Sequence, residues 1–155
     1  MPLLLAAVLA AFAAGCGGGG SSSSSGSDQQ EFSSYETAMQ SLGQKLGLAI
    51  QTAGNGNISA SSAKVVKNLQ HVQVLLRNAA TKLEQITPPD KVSAAHALLI
   101  RGVREYATEL DGVIKTAKTG DTRGALSSIF ALKGLKDMQR ASQSIQKAGY
   151  VIVTP

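Results

Sequence analysis

The sequence predicts an all-α fold, an antiparallel up-down-up-down four-helix bundle that follows an apolar leader and a Gly/Ser tether. Three observations predict it. From Asp28 onward, apolar residues recur at steps of three and four in four segments, each of about 24–30 residues. Short turn signals separate these segments: Gly54-Asn55-Gly56-Asn57, Thr87-Pro88-Pro89-Asp90 and Gly120-Asp121. No strand-type alternation competes with the helical period. Helices of similar length with short connections pack as antiparallel neighbours.

Residues 1–15 come first. Leu3 to Ala14 is uncharged and apolar, and small residues lead into Cys16, the only cysteine of the chain. The stretch is shorter than the roughly 20 residues a spanning helix needs, so it reads as a secretory signal. Ala13-Ala14-Gly15-Cys16 resembles the lipobox of bacterial lipoproteins. The resemblance implies that residues 1–15 are a lipoprotein signal peptide and that the Cys16 thiol receives a diacylglycerol. It also implies that Cys16 becomes the new N-terminus and carries a palmitate. The body would then sit on the extracytoplasmic face of the cell membrane. Two other readings stay open, a plain signal peptide with a free cysteine and an incidental thiol. A lone cysteine makes no internal disulfide, so the fold rests on its core.

Residues 16–27 are then the lipidated cysteine and a linker. Gly17 to Ser27 contains only Gly and Ser. Such a coil has a root-mean-square reach of roughly 17–20 Å and a contour limit of about 40 Å. It holds the domain of residues 28–155 close to the membrane while leaving it free to rotate.

Within that domain, Phe32, Tyr35, Met39, Leu42, Leu46, Ile50 and Ala53 form one face of the first segment. Gly43 and Gly47 flank this stripe and point to close approach by a neighbouring helix. The second segment starts near Ser59, with Val65, Val66, Leu69, Val72, Leu76, Ala79, Leu83 and Ile86 inward and Lys64, Lys67, His71 and Lys82 outward. Pro88-Pro89 stops it, and proline with Asp90 suits the start of the next helix. The third segment, about Pro89 to Lys118, has Val92, His96, Leu99, Val103, Tyr106, Leu110, Val113, Ile114 and Ala117 on one face. Gly120 supplies its stop and Asp121 the following cap. In the fourth, read as one continuous helix, the core face is Phe130, Ala131, Leu135, Met138, Ala141, Ile145 and Ala148. Leu126, Ile129 and Leu132 then fall on the opposite, basic side and hint at a partner surface. Ile86-Thr87-Pro88-Pro89 with His96 and Leu99 resembles a Pro-Pro…His…Leu segment of small uncharacterised bacterial lipoproteins with a helical domain. That resemblance implies fold and location but no activity.

The net charge is +5, all of it after residue 27. Lys133, Lys136, Arg140 and Lys147 follow helical spacing on the fourth segment and are candidates for contact with an anionic surface. The expected partners are the membrane, through the lipid anchor, and an envelope protein or anionic polymer. Aromatic content is 4% and tryptophan is absent, which argues against base-stacking surfaces and hence against nucleic acid. No nucleophile–base pair, phosphate loop or dinucleotide fingerprint occurs, so a non-enzymatic binding module is expected, with no cofactor. Glu105, Glu109 and Asp111 are expected to pair with Arg101, Arg104 and Lys115 on their own helix. His96, inside an apolar stripe, needs a hydrogen-bonding partner, and Tyr35 or a backbone carbonyl suits it. The alternative is a haem- or metal-binding redox bundle, with His96 and Met39 or Met138 at similar depth across the core. A carboxylate-bridged metal pair wants Glu three residues before each histidine, where Asn68 and Ser93 stand, so no metal is assigned.

Overall fold

The computed structural model describes residues 25–54 and 61–152, and every regular element among them is helical. Helix α1 spans Ser25–Gly54, α2 Ser62–Glu84, α3 Ser93–Lys118, α4 Thr122–Ser128 and α5 Lys133–Lys147. Residues 1–24, with Ala13-Ala14-Gly15-Cys16, lie outside the described residues, as do Asn55 to Asn57, Ser59, Val153 and the side chain of Ala53. Helix α1 takes in Ser25 to Ser27, the last residues of the Gly/Ser tether.

Single stripes build the first three helices. Tyr35, Met39, Leu42, Leu46 and Ile50 of α1 are buried, and so are Val65, Leu69, Val72, Leu76, Ala79 and Leu83 of α2. Every residue of the third stripe is buried, from Val92 to Ala117. Gly120, at φ +96°, ends α3, and the Asp121 carboxylate accepts the Gly124 N–H at 2.8 Å to start α4. Pro89 leads into a 3-10 turn over Asp90–Val92, which feeds α3.

Helix α3 packs against α2 and α5, and α1 packs against α2. Contact pairs step down α3 as they step up α2: Ser62 with Ala117, Gln73 with Ala107, Leu83 with His96. The same order holds for Gly134 beside Tyr106 and Met138 beside Gly102 on α5 and α3. After α5 the chain turns at Gly149, φ +98°, and runs back over α1. The Tyr150 ring stacks on Phe32 at 4.4 Å and meets Tyr35 edge-on at 5.4 Å. The Val151 N–H donates to Glu36, Gln40 donates to the Val151 carbonyl, and Ile152 is buried.

The fourth segment departs from the expected continuous helix. Ile129–Ala131 forms a 3-10 turn and Leu132 is extended, at φ −63° and ψ 142°. The reason lies in the phase of its apolar residues. Leu126 and Leu135 are nine positions apart, about 900° along a helix, which sets them on opposite faces. One uninterrupted helix would bury only one set. The break re-phases the chain, so Leu126 and Ile129 are buried along with Leu135, Met138, Ala141 and Ile145. Leu132 packs against the core as well. The partner-surface reading of Leu126, Ile129 and Leu132 is thereby corrected, and Phe130 and Ala131, expected inside, are both exposed, Phe130 at 60%.

Candidate functional site

Polar chemistry with a defined geometry is found at the buried imidazole of His96 and along the charged seam between α3 and α5. The first turn of α3 places His96 under the end of α2, where its side chain is only 3% exposed. Its Nε2 lies 2.9 Å from the Leu83 carbonyl. A carbonyl only accepts, so Nε2 carries the proton and donates it. Nδ1 is then the acceptor, and the Tyr35 hydroxyl donates to it at 3.1 Å. Burial pushes the imidazole below its usual pKa, against the opposing bond to Leu83. Burial, with Tyr150 adding, pushes the Tyr35 phenol up to about 12. Both groups are neutral at pH 7. This pair ties α1, α2 and α3 together at one end.

Met39 and Met138 face an apolar cavity of about 20 Å³, with Leu42, Leu83, Leu99 and Ile152 also on its walls and His96 not among them. Pockets for cofactor-sized ligands hold about 300–1,000 Å³. Axial ligation by His96 would also require a ring nitrogen that is already engaged.

At the seam, glycines let two backbones touch. A Cβ on Gly134 would lie 2.2 Å from the Tyr106 backbone nitrogen, and one on Gly102 would lie 2.9 Å from that of Met138. Close approach brings Glu109 of α3 to the start of α5. Its Oε1 accepts the Lys133 N–H at 3.1 Å and its Oε2 the Gly134 N–H at 2.9 Å. Leu132, at the position where a Ser or Asp would cap α5, makes no side-chain cap, so a carboxylate from another helix satisfies these donors. Glu109→Ala is expected to lower the unfolding free energy by about 1 kcal/mol, with Glu109→Gln intermediate, as read by urea denaturation; an unchanged midpoint would count against the cap.

Lys133 Nζ donates to Glu105 at 2.7 Å and to Asp137 at 2.8 Å, and Arg140 sits 3.3 Å from Asp137. Asp137 is 3% exposed. Its bond from Lys133, with the charges of Lys133, Arg140 and Arg101, holds its carboxyl below the usual range against the effect of burial. Bonds to Asp137 and Glu105 raise the Lys133 ammonium in turn. Of the basic row, Lys133 and Arg140 are therefore drawn onto Asp137, while Lys136 and Lys147 are exposed and make no ion pair among the described residues.

The expected pairing within α3 is corrected too. Glu105 reaches Lys133, Glu109 caps α5, Asp111 accepts from Gln73 at 2.7 Å, and Arg104 pairs with Glu84 of α2. Neighbouring helices lie as near as the next turn and offer unpaired N–H groups besides. Beside the seam, Ile100, Arg101, Arg104, Glu105 and Thr108 of α3 and Lys133 of α5 line an open groove of about 650 Å³. Sequence reasoning passed over it, although Arg101, Arg104, Glu105 and Thr108 keep the 3–4 spacing of one helix face.

Among the described residues, no three His, Cys, Asp or Glu side chains gather as a metal-binding set, and no helix is long and apolar enough to cross a membrane. Comparison with protein-family models, curated proteins and solved structures finds no match.

Proposed function

We propose that this protein is a membrane-anchored extracytoplasmic lipoprotein, a non-enzymatic binding or interaction module held at the cell envelope by lipidated Cys16. Its body is an antiparallel up-down-up-down four-helix bundle, in which α4 and α5 together form the fourth rod. The observation that carries the reading is Ala13-Ala14-Gly15-Cys16 followed at once by a run of Gly and Ser. A diacylated cysteine gives stable anchoring, since each buried methylene contributes about 0.8 kcal/mol. The opposed stepping of contacts between α2 and α3, and between α3 and α5, supports the topology. The filled interior, with its cavity of about 20 Å³ beside Met39 and Met138, favours recognition at the surface over recognition in the core.

The test is metabolic labelling of the full chain in a bacterial host with tagged palmitate, followed by mass spectrometry. The mature product is expected to begin at Cys16 and to carry label, and Cys16→Ser to carry none. A wild-type product with an unmodified thiol would sink the reading.

A further inference from the structure

We propose that the groove between α3 and the start of α5 docks the phosphate headgroups of anionic phospholipids, gripped by Arg101 and Arg104. The inference rests on the membrane tether proposed above and names what the tethered domain touches there. Charge complementarity is the argument. Three cations, Arg101, Arg104 and Lys133, face one carboxylate, Glu105, in the lining. Both oxygens of Glu105 accept from Lys133 Nζ, whose remaining donor goes to Asp137. Lys133 is thereby spent on internal bonds, and the charge left to the groove is that of the two arginines.

Arg101 is available as it stands, and Arg104 by exchange of its partner. Arg101 makes no ion pair among the described residues; it lies in the field of Asp137, whose oxygens are already taken by Lys133 and Arg140. Arg104 contacts Glu84 through one nitrogen, with both side chains well exposed, and surface pairs of this kind are weak and exchangeable. Residues three apart on a helix share a face, so both planar forks can reach one anion once Arg104 exchanges Glu84 for it. A guanidinium offers two parallel N–H donors that match phosphate oxygens, and it is more weakly hydrated than an ammonium. Ile100 beside them supplies apolar surface for the glycerol end of a lipid. Lys136 and Lys147, on α5, are outside this groove. The contact with the anionic surface therefore centres on α3.

The experiment is vesicle sedimentation of the mature chain, residues 16–155, carrying Cys16→Ser, so that neither the apolar leader nor an acyl chain contributes. Vesicles of phosphatidylglycerol in phosphatidylcholine are compared with phosphatidylcholine alone at low salt. Preferential binding to the anionic vesicles is expected. Arg101→Gln/Arg104→Gln is expected to lower it about thirtyfold, two cations at about 1 kcal/mol each. Lys136→Gln/Lys147→Gln removes the same charge and is expected to lower it threefold or less. Equal losses in the two variants, or none in the arginine variant, would overturn the proposal. Inorganic phosphate bound by Arg101 and Arg104 without any vesicle preference would overturn the lipid assignment. Failure of acylation in wild type leaves this result readable, because the sedimented protein carries no acyl chain in either case.

Discussion

Gly134→Ala is expected to cost about 3 kcal/mol of unfolding free energy, the upper part of the range for overpacking. The added methyl would sit 2.2 Å from the Tyr106 nitrogen and 2.6 Å from the Gly102 oxygen and the Tyr106 Cα. All three are backbone atoms, so no rotamer change relieves the clash. The two helices must separate, which also pulls the α5 N–H groups away from Glu109 and loosens Leu135 and Met138 against α3. Gly112→Ala is the matched control. A Cβ there meets nothing within 4 Å, so the same change should stabilise by about 0.5–1 kcal/mol through helix propensity. Denaturant unfolding of both variants reads the difference; Gly134→Ala with wild-type stability would show that α3 and α5 do not touch backbone to backbone.

His96→Phe is expected to cost about 2–3 kcal/mol. The Leu83 carbonyl retains the Ile86 N–H at 3.1 Å, so the main penalty is the buried Tyr35 hydroxyl left without its acceptor. Removing both partners is gentler than removing one. The Tyr35→Phe/His96→Phe double variant should therefore recover about 1 kcal/mol relative to the sum of the singles. The sign of the pH dependence follows from the lowered pKa of His96. Below the ordinary value near 6.5 and above the folded value, the unfolded chain binds more protons than the native one. Stability is thus present in full above that window and falls as pH is lowered through it. Unfolding free energy of wild type should decline from pH 7 towards pH 5, while His96→Phe stays flatter; parallel profiles would refute a buried neutral imidazole.

How much of this was legible in the sequence depends on how many faces each segment buries. Helices α1, α2 and α3 each bury one stripe, so spacing alone identified Tyr35, Leu69 and Val103 as core. The fourth segment carries two stripes half a turn out of phase, and periodicity can register that conflict without saying where the chain gives way. The break fell before Gly134, where α5 can approach α3 closely and Glu109 waits to receive its N–H groups. That cap comes from 24 residues away, which no local motif records. The His96–Tyr35 bond was easier to foresee. An imidazole in an apolar stripe demands a partner, and few polar groups shared that depth. Salt-bridge partners were misread because spacing along one helix says nothing of what the adjacent helix presents.

The return of the chain over α1 has a mechanical consequence. Residues 32–40 and 150–152 clasp each other near opposite ends of the described polypeptide, so the domain is closed almost like a ring. A pull entering through the N-terminal end of α1 loads this clasp first, prising the Phe32 and Tyr150 rings apart and peeling Val151 from Glu36. Rupture there bares one side of α1, which stays held to α2 by its buried stripe and to α3 by the Tyr35–His96 bond, so the clasp is the first contact to yield and not the last.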